Sequence, residues 1–282
     1  MQNGIPSERP FDFSQHSTVG CGGTAKVAFY PSNEEEVKTL LAAYPKAWTV
    51  VGNLSNVLPP DEGLDKMVIC SKRLTEIVPT KQGVYVSAGV TSGRLVRYMQ
   101  ETGLSGAEFV AGIPCTVGGL LYMNGGARGR YIADIVQSVR IIRDGKRVEL
   151  PNAACQYSYK NSVFMHTDDF ILGGTLRLEE KGHFAVAEEV RRYLHMRTHL
   201  PKGKSMGCVF KNPDGRSAGA LIEGAGLKGL RVGGAKVSEI HANFIINDQN
   251  ATSKDICTLI TLIKNAVQAQ YGVVLEEEIR YL

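Results

Sequence analysis

Glycine placement is the feature that most limits what this chain can fold into. Thirty-one of its 282 residues are glycine, about 11% against a usual ~7%, and many fall in three groups. The first is Gly20, Gly22 and Gly23. The second is Gly112, Gly118, Gly119, Gly125, Gly126 and Gly129, and the third is Gly224, Gly226, Gly229, Gly233 and Gly234. Clustered glycines let main-chain N–H groups approach a phosphate with no Cβ in the way. They serve equally well as tight turns, and a single cluster does not separate the two readings. None forms a Walker loop, and none is a G-x-G-x-x-G that opens a helix after a strand, so neither common nucleotide fold is indicated. Three clusters in one chain favour a large phosphate-bearing ligand.

The remaining composition removes several function classes. Lys plus Arg exceeds Asp plus Glu by 32 to 28, a net charge of +4. That surplus is too small for bulk attraction to nucleic acid or to an anionic membrane. Every apolar stretch is broken by glycine or charge before the roughly 18 residues a spanning helix needs. Met1 to Phe13 carries Glu8, Arg9 and Asp12 and has no apolar run of the kind an export signal needs. Cys21, Cys70, Cys115, Cys155, Cys208 and Cys257 are widely dispersed with no C-x-x-C pair. The expectation is therefore free thiols in a reducing cytoplasm. The histidines are equally scattered, so no metal site is expected.

Local signals give a mixed α and β chain. Asn33 before Glu34, Glu35 and Glu36 predicts a capped helix with Val37, Leu40 and Leu41 inward. Residues 47–51, 67–70 and 84–87 predict strands, and residues 92–102 a helix stopped by Gly103. Residues 136–143 and 146–150 predict a hairpin about Asp144-Gly145, and residues 170–178 another strand. Ser253 is read as the cap of a last helix whose stripe is Ile256, Leu259, Ile260, Ile263 and Val267. Gly272 ends it, and a final strand over 273–281 follows. The polar, basic composition from Glu188 to Lys204 marks the main domain change. The division expected is 1–182, with a subdivision near 66, and 183–282.

Gly112-Ile113-Pro114-Cys115-Thr116-Val117-Gly118-Gly119, followed by Met123-Asn124-Gly125-Gly126-Ala127, resembles the flavin-binding signature of the UDP-N-acetylenolpyruvoylglucosamine reductase family. Thr18 to Ala25 is similar to its opening Thr…Gly-Gly-x-Ala segment, and Gly52-Asn53-Leu54-Ser55-Asn56 to its G-x-G-S-N loop. Tyr159-Lys160-Asn161-Ser162 stands where the family has Tyr-Arg-x-Ser, and Gly207 to Pro213 resembles G-S-x-F-K-N-P. Leu221 to Gly229, Val237-Ser238, His241 to Phe244 and Leu275 to Arg280 complete a nearly end-to-end resemblance, of the shorter family type.

The resemblance implies an α+β protein. Residues 1–182 would form a vanillyl-alcohol-oxidase/PCMH-type FAD-binding fold, and 183–282 a separate substrate-binding domain whose final strand carries Glu278. It implies bound FAD, NADPH as hydride donor and a UDP-linked amino sugar as substrate, in a cytoplasmic enzyme of peptidoglycan synthesis that acts as a monomer. The flavin-binding residues implied are Gly52, Asn53, Leu54, Ser55, Asn56, Gly112, Ile113, Pro114, Thr116, Gly118, Gly119, Asn124, Gly126 and Ala127. Tyr159, Lys211, Asn212 and Lys228 are implied to contact substrate. Lys160 stands in place of the family's arginine that holds the substrate carboxylate. Cys208 replaces its serine, the proton donor to C2, and Glu278 matches its glutamate. Negative charge develops toward the carboxylate as hydride arrives, so fixed positive charge and a positioned acid are what this chemistry needs.

Several positions depart from the family pattern. Besides Lys160 and Cys208, Leu54 takes the third place of the G-x-G-S-N loop, and is strained if that place requires a positive φ. Cys115 and Arg128 stand where the family has Gly and Tyr. Glu277, beside Glu278, is expected on a solvated face, and His241 is expected to be structural. The basic run Arg191, Arg192, Arg197, Lys202 and Lys204 either meets the UDP pyrophosphate or is a solvated helix face. A silent UDP-sugar-binding paralogue, and a flavin oxidoreductase with another substrate, are the alternatives.

Overall fold

The computed structural model describes residues 4–282. Residues 1–3, at the start of the segment read as lacking an export signal, lie outside the described residues. The chain divides into two packed units, each built from separated segments. The first comprises residues 4–8, 27–53 and 66–198, and the second 9–26, 54–65 and 199–282.

In the first unit a small sheet joins β1 (Ser7–Glu8), β2 (Ala28–Phe29), β3 (Trp48–Val51) and β4 (Met67–Cys70) in the order β1-β2-β4-β3. Strands β2, β4 and β3 run parallel, as a crossover helix requires. That helix, α1 (Glu34–Ala43), starts as expected, with Asn33 Oδ1 accepting from Glu36 N at 3.0 Å. An antiparallel sheet follows: β5 (Ile77–Thr80), β6 (Gly83–Ser87), β7 (Val136–Arg143), β8 (Lys146–Pro151) and β9 (Phe170–Leu176), in the order β8-β7-β9-β6-β5. The β7–β8 turn has φ of 50° at Asp144 and 72° at Gly145, both positive, as a two-residue hairpin favours. Every residue of β9 is buried. Helix α2 (Ser92–Thr102) is capped by Thr91 and stopped by Gly103 at φ 70°. The short α3 (Val117–Met123) and α4 (His183–Met196) complete the unit.

The expected boundary at 183 falls elsewhere. Val186, Val190 and Tyr193 of α4 are buried in the same core as Leu95 and Met99 of α2, so the helix belongs to the first unit and the change comes after Thr198. The composition shift marked α4's exposed face: Arg191 pairs with Glu188 and Arg192 with Glu189.

The second unit holds a sheet of β10 (Ser205–Cys208), β11 (Arg231–Val232), β12 (Ala235–Val237) and β13 (Phe244–Asn247), in the order β10-β13-β12-β11. Helices α5 (Ala218–Gly224) and α6 (Ser253–Tyr271) supply Leu221, Ile222, Ile256, Leu259, Ile260, Ile263 and Val267 to its core. The cap of α6 is Thr252, one residue before the one expected. It forms a capping box with Asp255, each side chain bonding the other's main-chain N–H at 3.0 Å. Ser253 is instead the first helical residue. Its N–H donates to Asp61 Oδ1 at 2.8 Å. The final strand is also shorter than expected. Only Arg280–Tyr281 forms a ladder, parallel to Val57–Leu58, while Glu277 makes a single bridge to Phe210.

One ion pair in the first unit carries a pH prediction. Arg143 Nε and Nη2 donate to the two oxygens of Asp169 at 2.8 and 2.7 Å, and Thr167 Oγ1 adds a bond at 2.7 Å. Burial raises the carboxyl's pKa, but the bonds from Arg143 and Thr167 outweigh it and the net shift is downward. A folded-state pKa below the unfolded value, about 3.9, contributes stability above that pH and loses it as pH falls through the folded value. Urea midpoints measured from pH 7 to pH 3 should therefore fall more steeply for the parent than for Asp169→Asn. Parallel curves would remove this pair from the acid response.

Candidate active site

In the first unit, residues 52–53 and 112–119 form one patch. Asn53 Nδ2 donates to Pro114 O at 2.9 Å. A Cβ on Gly52 would run into Thr116 Oγ1, and one on Gly118 would stand 2.9 Å from Ala88 Cβ. Gly52 therefore permits close approach of the Thr116 side chain, and Gly118 that of Ala88. Thr116 is buried and caps α3, its Oγ1 accepting from Gly119 N at 3.3 Å. The next two amides are occupied internally, Val117 N donating to Val90 O and Gly118 N to Ala88 O, each at 2.8 Å.

A flavin nucleotide fits the rest of this patch. Among the described residues, the amides of Gly52 and Asn53 donate to no main-chain carbonyl. A Cβ on the exposed Gly119 would meet only Thr116 Oγ1, at 3.6 Å. Gly112 and Pro114 are exposed, and Ile113 is half-buried. Gly112 takes φ 75°, and its carbonyl accepts from Arg197 Nε at 3.1 Å. Burial pushes the Cys115 thiol up to about 12, against smaller opposing effects of Ser92 and Arg197, which disfavours the nucleophilic thiolate.

Downstream, Gly126-Ala127 pairs with Arg130-Tyr131, with Arg128 and Gly129 at the tip at φ 55° and 77°. Asn124 is buried in the left-handed conformation at the end of α3. Its Nδ2 donates to Ser158 O at 2.8 Å and its Oδ1 accepts from Ala133 N at 3.2 Å. Both ends of this carboxamide thus hold backbone.

Ser158 opens the turn that presents Tyr159 and Lys160. Ser158 and Asn161 exchange N–H···O bonds of 3.1 and 3.2 Å, and Lys160 lies between them at φ 54°. A lysine in that region is held at some cost, and such outliers cluster at functional sites. The Tyr159 ring stands edge-on to Tyr131, 6.3 Å between centroids. Ser162 is fully buried, its hydroxyl donating to Tyr122 O at 2.6 Å.

The second unit contains the rest of the motif set. Leu54 does adopt φ 50°, and its side chain is buried. The strain of that conformation, about 1–2 kcal/mol, is smaller than what burying a leucine returns, about 1.5–3 kcal/mol. Its carbonyl accepts from Thr18 N and Oγ1 at 3.3 and 3.4 Å. The amides of Leu54, Ser55 and Asn56 donate to no main-chain carbonyl among the described residues.

Cys208 ends β10, opposite Phe244 of β13 and just after an irregularity in register. Gly207, at φ 77°, supplies the turn of backbone there. Beyond it, Lys211 N donates to Glu276 O and Glu278 N to Val209 O, each at 2.8 Å. The C-terminal segment thereby runs beside Cys208–Lys211, and Cys208 and Glu278, both half-buried, lie on neighbouring segments. Glu277 is not on a solvated face: it is half-buried and pairs with Lys264 of α6 at 2.8 Å.

Three further residues named from sequence have protein partners here. Lys211 Nζ is 3.2 Å from Glu276, and Lys228 Nζ is 2.6 Å from Glu223. Asn212 Oδ1 accepts from Ala218 N at 3.0 Å, tying its loop to the start of α5. His241, expected to be structural, is held by neighbouring residues. Burial lowers its pKa, its Nδ1 accepts from Asn243 N at 3.3 Å, and its ring stands edge-on to Phe244.

Sequence reasoning gave no role to Asn243. Its side chain is almost fully buried; Oδ1 accepts from Phe210 N at 2.9 Å and Nδ2 donates to Phe210 O at 2.8 Å. Its own carbonyl accepts from Val209 N at 2.8 Å. Its place in the His241–Phe244 motif was the signal. The partner two residues past Cys208 is visible only in three dimensions.

Comparison with known proteins follows the same lines. Residues 25–150 match the family model described as FAD binding domain. Residues 198–282 match that of the UDP-N-acetylenolpyruvoylglucosamine reductase C-terminal domain. The UDP-N-acetylenolpyruvoylglucosamine reductase of Geobacter metallireducens is 37% identical over 273 residues, covering 95% of this chain and 91% of that protein. The Bacillus subtilis protein of that name is 35% identical over 277 residues, with the same two coverages. The crystal structure of the reductase from Thermus caldophilus superposes with a TM-score of 0.86 at 34% identity, covering 98% of this chain and 99% of that one.

Proposed function

This chain belongs to the UDP-N-acetylenolpyruvoylglucosamine reductase family, and from that premise we propose that it carries out the NADPH-dependent reduction of UDP-N-acetylglucosamine enolpyruvate to UDP-N-acetylmuramate for peptidoglycan synthesis. One observation carries the reading: relatives of that name are 34–37% identical to it over 95% or more of its length. FAD, when bound, supplies the hydride relay between NADPH and C3 of the enolpyruvyl group. Gly52, Asn53, Leu54, Ser55, Gly112, Ile113, Pro114, Thr116 and Gly119 would hold it, largely through main-chain groups.

The chain's own side chains do the rest. Lys160 meets the substrate carboxylate, where negative charge grows as C3 receives hydride. A cation fixed on a tight turn stabilises that charge without reorganising. As an ammonium it offers a point charge where an arginine would offer a planar fork, so Lys160→Arg is a direct probe of orientation. The Cys208 thiol gives its proton to C2, and Glu278, on the neighbouring segment, assists the polarised carboxylate or the relay that delivers the proton. Tyr159, Asn212, Lys211 and Lys228 contact the UDP-sugar. The lysines change partner easily, since exposed pairs such as those with Glu276 and Glu223 contribute only about 0–1 kcal/mol. The enzyme acts as a monomer in the cytoplasm, where its soluble substrates are. Among the described residues no helix is long and apolar enough to cross a membrane.

The test is a visible spectrum of the purified protein with substrates added in turn, without oxygen. The flavin band should bleach with NADPH and return with UDP-N-acetylglucosamine enolpyruvate. Bleaching without return points to a different acceptor. A colourless protein that FAD does not reconstitute makes it a silent paralogue.

A further inference from the structure

We propose that Asn56 is a positioning residue for Glu278 rather than a ligand of the flavin nucleotide; this rests on the role given to Glu278 above. The observation is a two-sided clamp within the second unit. Asn56 Nδ2 donates to Glu278 O at 3.1 Å, and the main-chain carbonyl of Asn56 accepts from Arg280 N at 2.9 Å. From the other side, Glu278 N donates to Val209 O at 2.8 Å. The peptide groups flanking the Glu278 Cα are therefore held by two different segments.

This matters because residues 273–279 have no sheet of their own. The ladder with Val57–Leu58 begins only at Arg280, and Glu277 makes one isolated bridge. Ile279, buried next to Glu278, roots the segment in the core, but an apolar anchor fixes depth and leaves rotation about the segment axis free. Directional bonds to the flanking peptides set that rotation, and with it the direction of the Glu278 carboxylate. Glu278 N and, more weakly at 3.5 Å, Ile279 N donate to Val209 O; the Asn56 carboxamide makes the bond that comes from a side chain, and so the one that substitution removes. A small displacement of a catalytic group costs up to about 10²-fold in rate, whereas one lost neutral hydrogen bond is a modest loss to a folded domain. A positioning role therefore predicts an effect on rate that exceeds the effect on stability.

The experiment compares Asn56→Ala, Glu278→Gln and the double variant in the FAD-loaded protein. It measures FAD affinity by flavin fluorescence, anaerobic bleaching by NADPH, and recolouring by UDP-N-acetylglucosamine enolpyruvate. Asn56→Ala should keep FAD affinity and bleaching within about 2-fold and slow recolouring by about 10- to 100-fold. The double variant should recolour no more slowly than Glu278→Gln, because the two residues act as one unit. If Asn56→Ala weakens FAD binding tenfold and leaves recolouring per bound flavin unchanged, Asn56 is a flavin ligand and the proposal fails. It also fails if the two losses simply multiply. If Glu278→Gln is slow and Asn56→Ala is fast, Glu278 keeps its role and only the clamp falls. If Glu278→Gln recolours at the parent rate, the assignment of Glu278 fails, and this proposal with it. Should the alanine variant not fold, Asn56→Ser, which takes the amide donor away without adding charge, gives the same comparison.

Discussion

Replacing Cys208 by alanine should leave NADPH-dependent bleaching intact and slow the reoxidation of the flavin by substrate by about 10²–10⁴, the usual contribution of a positioned acid. A model thiol, with a pKa of about 8.5, is a stronger acid than a serine hydroxyl, and either group can donate a proton, so Cys208→Ser should retain most activity. Gly207 turns the backbone just before Cys208, and Val209 is bonded to Glu278 just after it. Stopped-flow measurement of the two half-reactions separates the possibilities. Equal loss in both halves would make Cys208 a packing residue at the end of β10.

The second large effect is on stability. Asn243→Ala removes the partners of both the N–H and the C=O of Phe210, a residue that is itself buried. Each of these two buried groups left without a partner costs about 1–3 kcal/mol, so the variant should be less stable by about 2–6 kcal/mol. In urea this appears as a lower midpoint at unchanged slope. Asn243→Asp keeps the acceptor for Phe210 N–H but sets an oxygen against the Phe210 carbonyl, and should be nearly as damaging. A midpoint within experimental error of the parent would show that Phe210 finds other partners.

What could be read from the sequence follows the range of the signals. Helix α2 was readable to the residue because its stripe and Gly103 lie within the helix or next to it. The Asp144-Gly145 hairpin was readable for the same reason. The cap of α6 was missed by one position because Thr252 and Ser253 are both good caps, and only the box with Asp255 decides between them. Membership of the units was not legible. Residues 9–26 and 54–65 join the second unit through partners far along the chain, and hydrophobic periodicity carries no information about those. Motif positions named the chemistry-bearing residues but not their contacts. Asn124 and Asn212 read as ligand contacts, yet their carboxamides also hold the backbone of Ser158, Ala133 and Ala218. Lys264, the partner of Glu277, gave no signal at all.

The pairing of Val57–Leu58 with Arg280–Tyr281 has a consequence for biosynthesis. Asn56 and Glu278, at the start of that pairing, are 222 residues apart. At a ribosomal speed of about 5–20 residues per second, the earlier strand waits roughly 10–45 s for its mate. Throughout that interval Leu58, Val19 and Cys21 have no core to enter, because their neighbours in it are still untranslated. The first unit needs nothing beyond residue 198 and is free to condense on the nascent chain. Two early segments are meanwhile left without their packing partners, with apolar side chains such as Val19 and Leu58 exposed. Translation speed through the last eighty codons therefore governs how long the newborn chain is open to aggregation.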